Sequence, residues 1–364
     1  MVMEIVKKST QYPDAIHFEV GEPDLLPPPK VKAALLQAIE NDRFGYTPSD
    51  GLPQLKEAIA NHYKVQYGIN VESERIIITP GSSGAFLLAY ALVLDVGQTI
   101  AMSDPGYPSY KNFAYTLGIE PKFIPVTAST NYCIEPEMIQ NIDALQISNP
   151  ANPTGNLYPN KLLQALCEKC QKEGVVLISD ELYHGLTYEE APQTALAYWD
   201  DAFVIGGFSK SFCMPGFRLG WIIVPKRYVQ KATQLVQNIF LAPATLSQYA
   251  ALAAFEYDYL EYVQQTFQAR RDFLYHGLKK FFDIPSKPQG AFYIWADVSR
   301  WGKDGLTFAT ELLEKEHVAV TPGIDFGTNN TKNYVRFAYT QEIEKMQEGL
   351  KRIERYLASS SAKT

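Results

Sequence analysis

An α/β fold built on a mostly parallel sheet is predicted by three observations. Short apolar runs recur through the middle of the chain, each closes on a polar turn, and each turn leads into residues at helical spacing. After Pro225 the pattern turns helical and then mixed, which predicts a separate α+β unit beyond the sheet. A chain of 364 residues, 46% hydrophobic, exceeds what one core ordinarily serves, so two domains are expected.

Residues 15–20 read as a short strand leading into Gly21-Glu22-Pro23-Asp24. Pro27-Pro28-Pro29 opens a helix, since proline is tolerated in a first turn, and Val31, Ala34, Leu35 and Ile39 follow at helical spacing. A polar loop, 41–51, carries Tyr46-Thr47-Pro48. A second helix spans about 52–67, with Leu55, Ile59 and Tyr63 on one face. The alternation then begins. Residues 75–79 form a strand, 80–84 a turn, and an apolar helix starts at Ala85. Further strands are expected at 99–102, 144–147, 175–179 and 202–205. A helical stretch, 245–282, with room for a break, precedes a turn at 285–288. An apolar segment at 290–296, a helix at 308–316, strands at 318–320 and 334–339, and a last helix at 343–357 with a frayed tail complete the chain.

Bulk properties exclude several functions. A net charge of −7 gives no nucleic-acid footprint. The longest apolar run, 86–94, is too short to span a membrane. The N-terminal residues lack the apolar core and cleavage site of a signal peptide, so a cytoplasmic protein is expected. Four cysteines do not make a disulfide framework; Cys167 and Cys170 sit one turn apart in a helical pattern. Five scattered histidines offer no metal cluster.

In parallel sheets ligands bind beyond the carboxyl ends of the strands. Here those ends carry Ser82 and Ser83 in a Gly-rich turn, Tyr107, Asn152, Asp180 followed by Tyr183, and Ser209-Lys210. Ser82 and Ser83 can present hydroxyls and N–H groups to a phosphate, or simply cap a helix. Tyr107 can stack on a planar ring or pack in the core. Asp180, ending an apolar strand, must find a cation or donors. Lys210 lies among Phe208, Phe212 and Met214, where an ammonium loses hydration and becomes a nucleophilic amine. Arg218, in a Gly-flanked turn, can clamp a phosphate. A cofactor with a phosphate, a basic ring nitrogen, a phenolic oxygen and an aldehyde would use all of these groups, and pyridoxal phosphate is that molecule.

At the level of motifs the chain resembles the class I/II aminotransferases of the fold-type-I pyridoxal-phosphate superfamily. The matching stretches are Gly21-Glu22-Pro23-Asp24, Tyr46-Thr47-Pro48, Thr79-Pro80-Gly81, the run Asn149-Pro150-Ala151-Asn152-Pro153-Thr154-Gly155, Asp180-Glu181-Leu182-Tyr183, Ser209-Lys210 with Arg218-Leu219-Gly220, and Val335-Arg336-Phe337. The resemblance implies a three-layer αβα domain with a mostly parallel seven-stranded sheet over residues 41–282. Residues 1–40 and 283–364 would form a smaller α+β domain closing over the site. It implies a Schiff base on Lys210, which then moves the proton between substrate Cα and cofactor. Asp180 would keep the ring nitrogen protonated, and Asn152 and Tyr183 would bond the ring oxygen. Tyr107 would stack, and Ser82, Ser83, Ser209 and Arg218 would hold the phosphate. Tyr46 would reach the phosphate of a neighbouring subunit, so a homodimer is expected. Arg336 would take the substrate α-carboxylate, helped by Asn152 and the backbone of Gly21. The expected reaction moves an amino group from an L-amino acid to a 2-oxo acid, with 2-oxoglutarate the expected acceptor.

One departure is visible. Gly207 stands where many relatives carry a serine, and loss of one charge-assisted hydrogen bond, about 1.5–3 kcal/mol, implies weaker cofactor retention. The helix after the phosphate turn, 85–94, has no Lys or Arg to hold a distal carboxylate, which leaves apolar, aromatic and dicarboxylic donors all open. A carbon–sulfur β-lyase would use the same residues. A regulator-type domain needs an added DNA-binding domain, for which residues 1–21 are too short. A P-loop ATPase or a nicotinamide dehydrogenase needs a glycine pattern that is not present.

Overall fold

The computed structural model describes residues 2–361. Its strands, in chain order, are β1 (Ile16–His17), β2 (Ile76–Pro80), β3 (Thr99–Asp104), β4 (Glu120–Pro125), β5 (Ala144–Ser148), β6 (Val176–Asp180), β7 (Phe203–Gly207), β8 (Leu219–Ile223), β9 (Tyr293–Asp297), β10 (Val318–Ala319), β11 (Thr321–Pro322) and β12 (Tyr334–Ala338). Seven of them form one sheet in the order β2-β8-β7-β6-β5-β3-β4. Only β8 runs against the rest, pairing antiparallel with both β2 and β7. The α/β class and the mostly parallel seven-stranded sheet are therefore as expected.

The apolar runs become central strands because both of their faces are covered. Successive residues of β2 show this. Ile76 and Ile78 pack into the core that takes helices Pro53–Tyr67 and Asn160–Glu173, whereas Ile77 packs into the core that takes Gly81–Val93, Ser109–Thr116 and Val229–Ile239. Two helical layers thus sandwich the sheet. Cys167 and Cys170 are buried on the inner face of Asn160–Glu173 as free thiols.

A third core gathers β1, β9, β10 and β12 with helices Gly305–Glu316 and Ile343–Ser361. One face of helix Tyr257–Leu278 also packs into it, through Val263, Phe267, Leu274 and Leu278. Here β11, β12 and β9 make an antiparallel sheet, and β1 pairs with β10 in parallel, bringing together Ile16 and Val318 from opposite ends of the chain. The expected break in 245–282 falls between helices Thr245–Ala251 and Tyr257–Leu278.

Some boundaries differ from expectation. The helix after β2 begins at Gly81, not Ala85, because Gly81 adopts φ +69° and turns the strand directly into the helix. The first strand shrinks to Ile16–His17, the length over which β10 pairs with it. The last helix continues to Ser361, and the remainder of the expected frayed tail, 362–364, lies outside the described residues. Among the described residues no helix is long and apolar enough to cross a membrane.

Candidate active site

The carboxyl ends of β2, β3, β5, β6 and β7 share one edge of the sheet, and a crevice of about 840 Å³ opens there against β12 and the 19–22 segment. Eleven of the predicted residues line it: Gly21, Ser82, Ser83, Tyr107, Asn152, Asp180, Tyr183, Ser209, Lys210, Arg218 and Arg336. Tyr46 does not. It stands 82% exposed on the surface, close in sequence to the exposed Phe44.

Lys210 stands three residues past Gly207, the last residue of β7. Its Nζ donates to the carbonyl of Gly21 at 2.7 Å and lies 5.5 Å and 5.8 Å from the ring centres of Phe292 and Tyr183. Burial, and after it the nearby Arg336 guanidinium, pull its pKa down to about 8. A usable fraction of the amine is therefore neutral near neutral pH.

Asp180 ends β6 and is buried. Its Oδ1 accepts from the N–H of Leu182 at 3.0 Å and its Oδ2 from the hydroxyl of Tyr110. Burial raises its pKa to about 6 against the opposing effect of those bonds, so above that pH it presents a carboxylate to the crevice.

At the opposite end lies an anion cradle. Ser82 and Ser83 sit in the first turn of Gly81–Val93, whose N-terminus carries partial positive charge. Arg218 is held at φ +51°, and its Nη1 donates to the Pro215 carbonyl at 3.1 Å. A Cβ on Gly81 would fall 2.4 Å from Arg218 Nη2, so only glycine lets the guanidinium approach the helix end. The hydroxyls of Ser82, Ser83 and Ser209 bond to nothing among the described residues. Gly207 lies outside the crevice lining, and a Cβ there would press on Leu182 Cδ1 at 2.9 Å.

Arg336 comes from β12, where it pairs with Trp295 and Thr321. It is buried. Nη1 donates to Asn152 Oδ1 and Nη2 to the Glu19 carbonyl, both at 2.9 Å, and Nε has no partner. The guanidinium rests between the rings of Tyr293, at 4.2 Å, and Phe326, at 4.8 Å. A buried guanidinium with only neutral acceptors is an incomplete arrangement that a carboxylate would complete.

Several lining residues were not predicted. Tyr110 holds Asp180. The Tyr293 hydroxyl meets that of Tyr183 at 2.9 Å, and its ring supports Arg336. Phe326, Val6 and Val20 add apolar wall. The sole signal for Tyr110 was its place three residues after Tyr107; Tyr293 and Phe326 lay in runs that read as ordinary core.

Comparison with known proteins supports a common reading of this arrangement. The model of the family "Aminotransferase class I and II" matches residues 13–353. The chain is 37% identical over 356 residues to the valine–pyruvate aminotransferase of Mycobacterium tuberculosis, covering 95% of this chain and 92% of the relative. It is 33% identical to the (5-formylfuran-3-yl)methyl phosphate transaminase of Methanocaldococcus jannaschii, covering 98% and 96%. Among solved structures, an aminotransferase from Mycobacterium tuberculosis superposes with TM-score 0.94 at 36% identity, covering 98% and 96%. Aspartate aminotransferase from Thermus thermophilus with maleate superposes with TM-score 0.92 at 28% identity, covering 97% and 96%.

Proposed function

The chain belongs to the class I and II aminotransferases, pyridoxal-phosphate-dependent transaminases, and from that premise we propose that it transfers the amino group of an apolar L-amino acid to 2-oxoglutarate, with Lys210 as the working amine. The observation that carries this reading is the convergence of the Lys210 amine, the buried Asp180 and the carboxylate-ready Arg336 on one crevice.

The residues fit the cofactor. Three unpartnered hydroxyls and Arg218 at a helix N-terminus suit its phosphate, and Asp180 suits a protonated ring nitrogen. Tyr107, at the crevice mouth, suits its ring face, and Asn152 and Tyr183 its ring oxygen. When bound, pyridoxal phosphate supplies an aldehyde for amine exchange and a ring that withdraws electrons from the substrate Cα. Arg336 and Asn152 bind the α-carboxylate and so orient the Cα–H bond. Lys210 Nζ, once neutral, would take the proton from the substrate Cα and hold it for return. Asp180 holds a proton at the ring nitrogen. Tyr183 and Tyr293, paired through their hydroxyls, keep the ring oxygen's donor in place.

Val6, Val20 and Phe326 line the crevice, Phe326 against Arg336, and favour an apolar side chain. Lys111 lines the crevice, pairs with no acid among the described residues and suits the distal carboxylate of 2-oxoglutarate. The exposed Phe44 and Tyr46 support a homodimer in which a second copy covers them and receives Tyr46 at its phosphate. All four cysteines are free and buried, which supports a cytoplasmic enzyme. We take residues 41–282 as the cofactor domain and 1–40 with 283–364 as the smaller one, with helix Tyr257–Leu278 packing its apolar face into the core of the smaller.

A single-turnover screen of amino donors, followed by loss of cofactor absorbance and release of the matching oxo acid, tests the assignment. L-valine or L-leucine reacting faster than L-aspartate, with 2-oxoglutarate restoring the absorbance, is expected. Restoration by pyruvate alone would reassign the acceptor. Release of ammonia without an added oxo acid would assign a lyase instead.

A further inference from the structure

Asp104 closes β3 on the sheet side, yet its carboxylate serves the opposite wall. It is buried, and its partners among the described residues are neutral hydrogen-bond donors. A carboxylate in that setting needs hydrogen-bond donors, and it draws all of those described from one loop. Thr328 donates its N–H at 3.0–3.1 Å and its hydroxyl at 3.1 Å, and Asn329 donates its N–H at 3.2 Å. The loop returns the grip: Asn329 Nδ2 donates to the Asp104 carbonyl at 3.1 Å. Gly327, at φ +150°, makes the approach possible, because a Cβ there would fall 1.8 Å from Asp104 Oδ1. One residue nearer the site, the N–H of Gly106 donates to the Phe326 carbonyl at 2.8 Å. Phe326 in turn lies 4.8 Å from the Arg336 guanidinium.

We propose that Asp104 is a positioning residue for substrate recognition: by clasping the 326–329 loop it fixes the aromatic support of Arg336 at a set distance from the strand-end wall. The proposal rests on Arg336 taking the α-carboxylate. Donor and acceptor share that carboxylate, so the clasp acts on both alike and not on the cofactor.

The test uses the pyridoxal-phosphate-loaded enzyme and compares Asp104→Asn, Thr328→Val, Arg336→Lys and the Asp104→Asn/Arg336→Lys double variant. Asp104→Asn replaces two accepting oxygens by one and is expected to raise KM for amino donor and oxo acid by the same factor, about tenfold. Its kcat and cofactor Kd should stay within about twofold, since neither depends on the clasp. Thr328→Val, which removes one exposed donor and leaves the fold intact, should shift both KM values in the same direction by about threefold. In the Arg336→Lys background the Asp104 change should add little, because both act through one group. A fall in Tm with both KM values unchanged, additive effects in the double variant, or equal loss of cofactor affinity would overturn the proposal. Should Arg336→Lys raise KM while Asp104→Asn does not, the clasp alone fails. Should Arg336→Lys leave KM unchanged, the carboxylate assignment fails and the clasp falls with it.

Discussion

Asp180 and Arg336 are buried charges on opposite walls of one crevice, and they are held in different ways. Asp180 is anchored from its own sheet: its Oδ1 partner is two residues away, and its Oδ2 partner, Tyr110, 70 positions away in sequence, is in the first turn of the helix that follows the nearby strand β3. Arg336 is anchored by groups 184 and 317 positions away in sequence, Asn152 and the Glu19 carbonyl, and by two rings. The strand-end wall is therefore set mainly by elements of one seven-stranded sheet, whereas the Arg336 wall depends on segments outside that sheet, β12 and residues 19–22. Cofactor binding should then tolerate changes at a distance, and substrate affinity should not.

The strongest way to break this division is to remove the group between the walls. Lys210→Ala should lower turnover by more than about a thousandfold, the upper range for loss of a proton-transfer group, while cofactor still binds. Loss of cofactor binding in equilibrium dialysis would mean that the strand-end wall is not self-sufficient. Arg336→Lys should raise KM for both substrates by about ten- to a hundredfold, the worth of one bidentate charged pair, with the cofactor spectrum unchanged.

With Lys210 pulled down to about 8, the rate of cofactor attachment to the apo chain should rise about tenfold from about pH 7 to about pH 9 and then level off. The same depression costs stability. The unfolded chain holds the Lys210 proton more tightly, so the penalty is fully present below about pH 8 and fades as pH rises toward the ordinary lysine value of 10.5. Apo-protein denaturation midpoints that fall with pH across that window would contradict this. The smallest effect is expected at Tyr46→Phe, about three- to tenfold weaker cofactor retention, seen only at concentrations where the protein is dimeric.

The two walls also differed in how far they could be read from sequence. Asp180, Lys210 and the serines announce themselves because an apolar run ending in a polar residue is a local signal. Arg336 was found through its motif, but its burial was not, since alternation along β12 fails when all five residues are buried. Two strands of the seven-stranded sheet escaped detection for opposite reasons. β4, at the sheet edge, buries only Ile124 and contains two prolines, so it has no apolar pattern. β8 is apolar throughout, but its opening residues were absorbed into the Arg218 turn. Tyr110, Tyr293, Phe326 and Asp104 act through partners that only the folded chain brings near, which no spacing rule reveals.

If the desolvated lysine just past β7 forms the cofactor bond, borohydride reduction of the cofactor-loaded enzyme followed by peptide mapping will leave a single phosphopyridoxyl mark, on Lys210. A mark on another lysine, or none, would rule that bond out.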